Sequence, residues 1–305
     1  MKILVYGSLN IDKTYSLESL VRPGETVSAL KMEQFCGGKG FNQALALRRA
    51  GNEVCFAGAV GTDGQMILDE LDRNGIDRGL IREMPCATGH AIIQVDGRGQ
   101  NSIIILAGAN GTNDSARVDE VLAQFGRGDL VVLQNEIPCV DEIIRKAHAK
   151  GMTVAYNPSP FNEKCLQCDL DQTDILLINE TEGEAMTGIA DPKSILRKLH
   201  EDHPGLAVVL TLGHRGSAFM DRNGTVWTSG IYASVAVDTT AAGDTFTGYF
   251  LSAYLGGKSP EEALRIAAIA SGISVSRNGA GPSIPTVEET VELLKQSVAL
   301  TERPF

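Results

Sequence analysis

Short, continuously apolar runs alternate with longer stretches of helical periodicity along most of the chain. The runs are Lys2–Tyr6, Val54–Ala57, Leu130–Leu133, Thr153–Tyr156, Ile175–Ile178 and Ala207–Leu210. Each is apolar at successive positions, so both faces of the strand it forms must be covered, as in a parallel sheet clothed by helices. The covering helices are predicted at Lys39–Ala50, Gln65–Asn74, Ser115–Phe125, Val140–Lys150 and Lys193–His203. This order restricts the chain to an α/β architecture with a mostly parallel sheet between two helical layers. After Asp238 the pattern turns helical, with Ala242–Tyr254, Pro260–Ser276 and Val287–Val298.

Two stretches break the alternation. Lys13–Phe35 is rich in alternating and turn residues, and Gly89–Ala107 reads as strands Ala91–Val95 and Ser102–Leu106 around the turn formers Asp96–Asn101. Neither can hold a core, so residues 13–35 and 89–107 are expected to form a small β-sheet lid over a single domain spanning residues 1–305. No internal repeat or linker interrupts it.

Composition narrows the partners. The net charge of −11 opposes general nucleic-acid binding. No run approaches the roughly 20 apolar residues that span a bilayer. The apolar start is too short for an export signal, with Asn10 and Asp12 following at once. A cytoplasmic location is therefore expected. Cys36, Cys55, Cys86, Cys139, Cys165 and Cys168 are scattered without the second pair a zinc site needs, and read as reduced, mostly buried thiols.

Several segments concentrate small and polar residues at predicted helix starts or strand ends. In Asp238–Phe246 (DTTAAGDTF), small residues Ala241, Ala242 and Gly243 precede Asp244 where a helix begins. Helix-start amides have no intrahelical partner and attract anions, while a nearby carboxylate can accept a proton. The same residues equally describe an ordinary capped helix. Cys36–Asn42 (CGGKGFN) is a glycine-rich turn before a helix, too compact for a P-loop. Asn179-Glu180-Thr181-Glu182 is either an N-cap with first-turn acids or a phosphate and metal site. Thr211–Gly216 is either a strand-to-strand turn or a ligand loop; its His214 reads as a surface residue. Glu136 ends a predicted central strand, the end where ligands gather.

These segments, in this order over essentially the whole chain, resemble the ribokinase family of carbohydrate kinases. The resemblance implies a three-layer ribokinase-like α/β/α fold with a β lid, and transfer of the ATP γ-phosphate to a primary hydroxyl of a pentose. Asp244 would be the base, with Ala241, Ala242 and Gly243 forming the anion hole. Asn10, Asp12, Gly38, Lys39, Asn42 and Glu136 would contact the sugar. Asn179, Thr211, Gly213, Gly216, Gly243 and Ala268 would meet the nucleotide, Ala268 implying apolar contacts to the base. Glu182 would support Mg2+ through water. Asp238, Thr240, Ser274, Arg277, Gly279 and Ser283 would surround a monovalent cation, K+. Phe41 stands where the family often carries alanine. Lid-to-lid pairing in a homodimer is also implied, and the exposed edges of a small sheet require cover. The signatures leave open another furanose, deoxyribose or a nucleoside as acceptor, and a catalytically silent sugar sensor on the same fold.

Overall fold

The computed structural model describes residues 1–302 and 304–305. In chain order the elements are β1 (Ile3–Tyr6), β2 (Asn10–Ser16), β3 (Lys31–Gly37), α1 (Lys39–Arg49), β4 (Val54–Val60), α2 (Gln65–Arg73), β5 (Asp77–Glu83), β6 (Gly89–Val95) and β7 (Asn101–Leu106). A 3-10 turn at Gly108–Thr112 precedes α3 (Ser115–Leu122), β8 (Leu130–Gln134), α4 (Val140–Ala149), β9 (Thr153–Asn157), β10 (Ile175–Asn179), α5 (Glu180–Thr187) and α6 (Pro192–Asp202). The chain closes with β11 (Ala207–Thr211), β12 (Ser217–Met220), β13 (Val226–Ser229), α7 (Ala242–Leu255), α8 (Pro260–Val275), α9 (Ala280–Ser283) and α10 (Val287–Lys295).

A nine-stranded sheet runs in the order β13-β12-β11-β10-β9-β8-β1-β4-β5. Its seven strands from β11 to β5 are parallel, and β12 and β13 join antiparallel at one edge. The two-residue period of a strand divides its side chains between two cores. Ile3, Val5, Leu177 and Val209 pack under α1, α2, α7 and α8. Leu4, Tyr6, Leu176 and Val208 pack under α3, α4 and α6. The molecule is thus a three-layer α/β/α fold, with all six predicted strands in the central sheet.

The lid is a separate four-stranded sheet, β3-β2-β6-β7. It starts earlier than residue 13: β2 begins at Asn10, so Asn10 and Asp12 stand on a lid strand and pair with Gly37 and Phe35 of β3. β5 and β13 escaped sequence reading because edge strands lack the double burial that marks their neighbours, β5 burying only Leu80; β12 lies inside the sheet and is buried at all four positions, but a run of four residues opening on a serine is too short to stand out. Helix α10 stops at Lys295, short of the predicted Val298, where Ser297 takes a positive φ of 51°. Of the six cysteines only Cys165 is fully buried, and Cys86 is exposed. Among the described residues no helix is long and apolar enough to cross a membrane.

Candidate active site

The carboxyl ends of the parallel strands and the start of α7 enclose two adjoining cavities. One, about 420 Å³, is lined by Thr211, Gly213, His214, Gly216, Ala242, Gly243 and Ala268, with Tyr232, Ser271, Gly272 and Val275. The other, about 250 Å³, is lined by Lys39, Asn157, Ser159, Asn179, Glu182, Ala241 and Asp244. Thr211, Thr239, Gly243 and Phe246 border both. A molecule spanning them must pass the first turn of α7.

That turn is shaped by Ala241, whose φ of 61° is left-handed, a conformation costly for a residue with a Cβ and most often retained where function demands it. It swings the chain into α7. The amide of Ala242 donates to the Thr239 carbonyl at 3.3 Å, so the first-turn amides available to an anion are chiefly those of Gly243 and Asp244, a shift of one residue from the sequence reading. A Cβ built on Gly243 would meet no atom within 4 Å, so its backbone borders open cavity.

Asp244 is 6% exposed. Its Oδ2 accepts from Asn42 Nδ2 at 3.1 Å and its Oδ1 from Gln43 Nε2 at 2.9 Å. It forms no salt bridge among the described residues, and it lines the polar cavity. Asn42 and Gln43 come from α1, whose N-cap Gly38 has a φ of 95° that a side chain would strain. At the same helix start the Lys39 amide donates to Glu136 Oε2 at 2.8 Å, and the Ser8 hydroxyl donates to the same oxygen. Burial pushes the Glu136 carboxyl up, against the pull of Ser8 and Lys39. Burial works against the Lys39 ammonium, but Asp244, Glu136 and Glu182 outweigh it and hold its proton more firmly than usual. Burial, aided by Glu136, lifts Asp12 to about 7. The Asp12 carboxylate lies against Gly37, where a Cβ would come within 1.9 Å of Oδ2.

Asn179 and Glu182 form a reciprocal cap: Asn179 Oδ1 accepts from the Glu182 amide at 2.9 Å, and Glu182 Oε2 from the Asn179 amide at 3.0 Å. The motif is thus an N-cap with first-turn acids, and both residues also line the polar cavity. Asp238 joins two loops: it accepts from the Thr240 amide at 2.9 Å and from the Gly279 amide at 2.9 Å. Burial raises its pKa, but these bonds prevail and hold it low. Ser274 and Ser283, fully buried, share a hydroxyl pair at 3.0 Å beside it. The Arg277 side chain turns to Glu289 instead, leaving only its main chain near these loops. Phe41 is fully buried against Gly281, so the larger residue is absorbed into the core between α1 and α9.

Sequence reasoning missed Ser8, Gln43, Asn110, Gln134 and Asn157. Asn110 clamps the entry to β2, bonding both the amide and carbonyl of Leu9 and donating to Asn10 Oδ1 at 2.8 Å. The polar run after Gly38 was a usable signal for Gln43; nothing local marked Asn110, which lies 100 residues from its partner.

The pfkB family carbohydrate kinase pattern matches residues 1–287. The chain belongs to the pfkB family of carbohydrate kinases. A ribokinase of Haemophilus influenzae is 37% identical over 304 residues, covering 97% of this chain and 99% of its own. A deoxyribokinase of Salmonella typhi is 30% identical over 311 residues, covering 96% and 99%. The structure of Arabidopsis thaliana ribokinase complexed with ribose and ATP superposes with a TM-score of 0.85 at 34% identity, covering 96% and 98%. Within the pfkB family fold, the apolar cavity beside α8 and the polar cavity at the strand ends adjoin at the first turn of α7.

Proposed function

We propose that this pfkB-family kinase transfers the γ-phosphate of ATP to the primary hydroxyl of D-ribose, forming ribose 5-phosphate. The observation that carries the reading is the Asp244 carboxylate, buried, held on both oxygens by amide donors, and lining the polar cavity next in sequence to Gly243, which borders both cavities. The sugar meets Lys39 and Asp244 in the polar cavity, with Asn10, Asp12, Gly38, Asn42 and Glu136, which lie outside its lining, completing its contacts. The nucleotide occupies the larger one, its base against Ala268 and its phosphates near Thr211, Gly213 and Gly216, reaching toward Asn179 in the smaller cavity. Asp244 accepts the hydroxyl proton as that oxygen attacks the γ-phosphorus. The amides of Gly243 and Asp244 stabilise the charge that spreads over the transferring phosphoryl group. The lid excludes water.

Glu182 fits Mg2+, since a single carboxylate with waters satisfies that ion; when bound, the ion screens phosphate charge. Asp238, Thr240, Ser274, Gly279 and Ser283, with the main chain at Arg277, offer the oxygen-rich setting of a monovalent cation, K+, which would stiffen the α7 turn. The reading places the whole chain in one kinase domain with its lid, in the cytoplasm. It also pairs two lids in a homodimer, supported by the outer lid strand β7: Ile103, Ile104, Ile105 and Leu106 are all more than half exposed.

Deoxyribose is the competing acceptor, favoured by the 30% identity to a deoxyribokinase. A coupled assay with ribose, 2-deoxyribose and nucleosides is expected to give the highest kcat/KM on ribose. Asp244→Asn should lower kcat by about 10²–10⁴-fold while ATP still binds. Retention of the parent kcat would remove Asp244 from the base role.

A further inference from the structure

We infer that Gln43, oriented by Gln134 and Asn157, is a positioning residue that fixes the Asp244 carboxylate for proton transfer. The inference rests on the proposed role of Asp244 as base. Gln43 is fully buried and lines neither cavity, so it acts from behind the base. Both protons of its amide are used, one on Asp244 Oδ1 at 2.9 Å and one on Asn157 Oδ1 at 3.1 Å. Its own oxygen accepts from Gln134 Nε2 at 2.7 Å.

The direction of this amide chain is imposed from outside the site. Asn157 Nδ2 donates at 2.8 Å to the main-chain carbonyl of Leu177, which can only accept. Asn157 must therefore turn its oxygen to Gln43, and Gln43 must turn its N–H groups to Asn157 and Asp244. A reversed Gln43 would place its oxygen against two acceptors and its nitrogen against the Gln134 nitrogen. Gln134 is wedged in place: a Cβ on neighbouring Gly7 would lie 2.1 Å from its Oε1. That oxygen is buried with no hydrogen-bond partner among the described residues. An orphaned buried acceptor is costly and uncommon. Here it is the consequence of turning the amide nitrogen toward Gln43. The ends of β8, β9 and β10 thus dictate, through neutral groups, which way a donor faces the base.

The test compares Gln43→Leu, the isosteric Gln43→Glu, Gln134→Leu and Asp244→Asn in the full chain, by steady-state kinetics with ribose and ATP across pH. Gln43→Leu is expected to lower kcat about 10²-fold, with KM for both substrates within about threefold of the parent. Gln134→Leu, which does not touch Asp244, should lower kcat in the same direction by less. Gln43→Glu places a second carboxylate on Asp244 Oδ1, so the acid limb of kcat/KM should move about one unit or more to higher pH. The other charged groups around Asp244 are Lys39, Glu136 and Glu182, with Asp12 beyond Glu136; all are unchanged in that variant. If Gln43→Leu fails to fold, the Gln43→Glu profile decides alone. An unmoved acid limb together with a kcat near the parent's, or a loss confined to thermal stability, overturns the inference. If Asp244→Asn itself keeps the parent kcat, the base assignment fails; if it loses activity while the Gln43 variants do not, only the positioning role fails.

Discussion

Asp12 and Glu136 are two partly buried carboxyl groups, and the field of Glu136 on Asp12 has a consequence for pH. Asp12 is held up to about 7 by burial, with Glu136 adding to it. Between the ordinary carboxylate range and pH 7 the folded protein binds more protons at Asp12 than the unfolded chain does. The contribution of Asp12 to stability is therefore greatest at low pH and is lost as pH rises to about 7. Sugar hydroxyls that donate to the ionised carboxylate reverse this, because they favour the charged form. The KM for ribose is thus expected to fall as pH rises from 6 to 8, and the dependence should vanish in Asp12→Asn. A flat KM over that range in the parent protein would separate Asp12 from the sugar.

The placement of the Asp244 carboxylate is a property of two helices. Helix α1 supplies Asn42 and Gln43, α7 supplies Asp244, and their crossing is set by Gly248, one turn beyond Asp244. A Cβ on Gly248 would lie 2.4 Å from the Ala46 Cβ and 2.8 Å from the Leu47 amide nitrogen. Contacts that short force helices apart, since packed interiors do not absorb an added methyl without movement. Gly248→Ala is expected to cost about 1–3 kcal/mol of stability, read by denaturant melts. It should also lower kcat, by up to about 10²-fold if Asp244 moves by an ångström relative to Asn42 and Gln43. Full activity at reduced stability would show that the crossing does not govern the base. Phe41 is the converse case: the space it fills lies against Gly281, and the helix keeps its place.

At the scale of the molecule, the lid is a thin sheet whose inner strand β2 carries Asn10 and Asp12 and whose outer strand β7 is apolar. Ile104 is 60% exposed in the single chain. An apolar edge of that kind invites pairing with a second sheet unless it is covered. Ile104→Lys is expected to convert a dimer to a monomer in light scattering and to raise the KM for the sugar, because an unpaired lid closes less firmly. A parent protein that is already monomeric at high concentration would exclude pairing through β7.

The central sheet and its order of helices were legible from the sequence because burial on both faces leaves a continuous apolar signature, and all six strands read that way appear in it. The helix start at Ala242 and the carboxylate of Asp244 were legible for a similar reason, a local cluster of small residues before an acid. Edge strands β5 and β13 were not, since one open side removes the signature, and β12, though buried throughout, is only four residues long. Nor were Gln43, Gln134, Asn157 and Asn110 legible as site residues. An amide's role depends on which group faces it, and their partners lie up to 201 residues away along the chain. The chain's own pattern determined which segments become strands, helices and anion-seeking turns. Only tertiary packing decided which polar groups meet, because hydrogen-bond direction is set by distant backbone carbonyls and by the close approach of glycine-bearing elements.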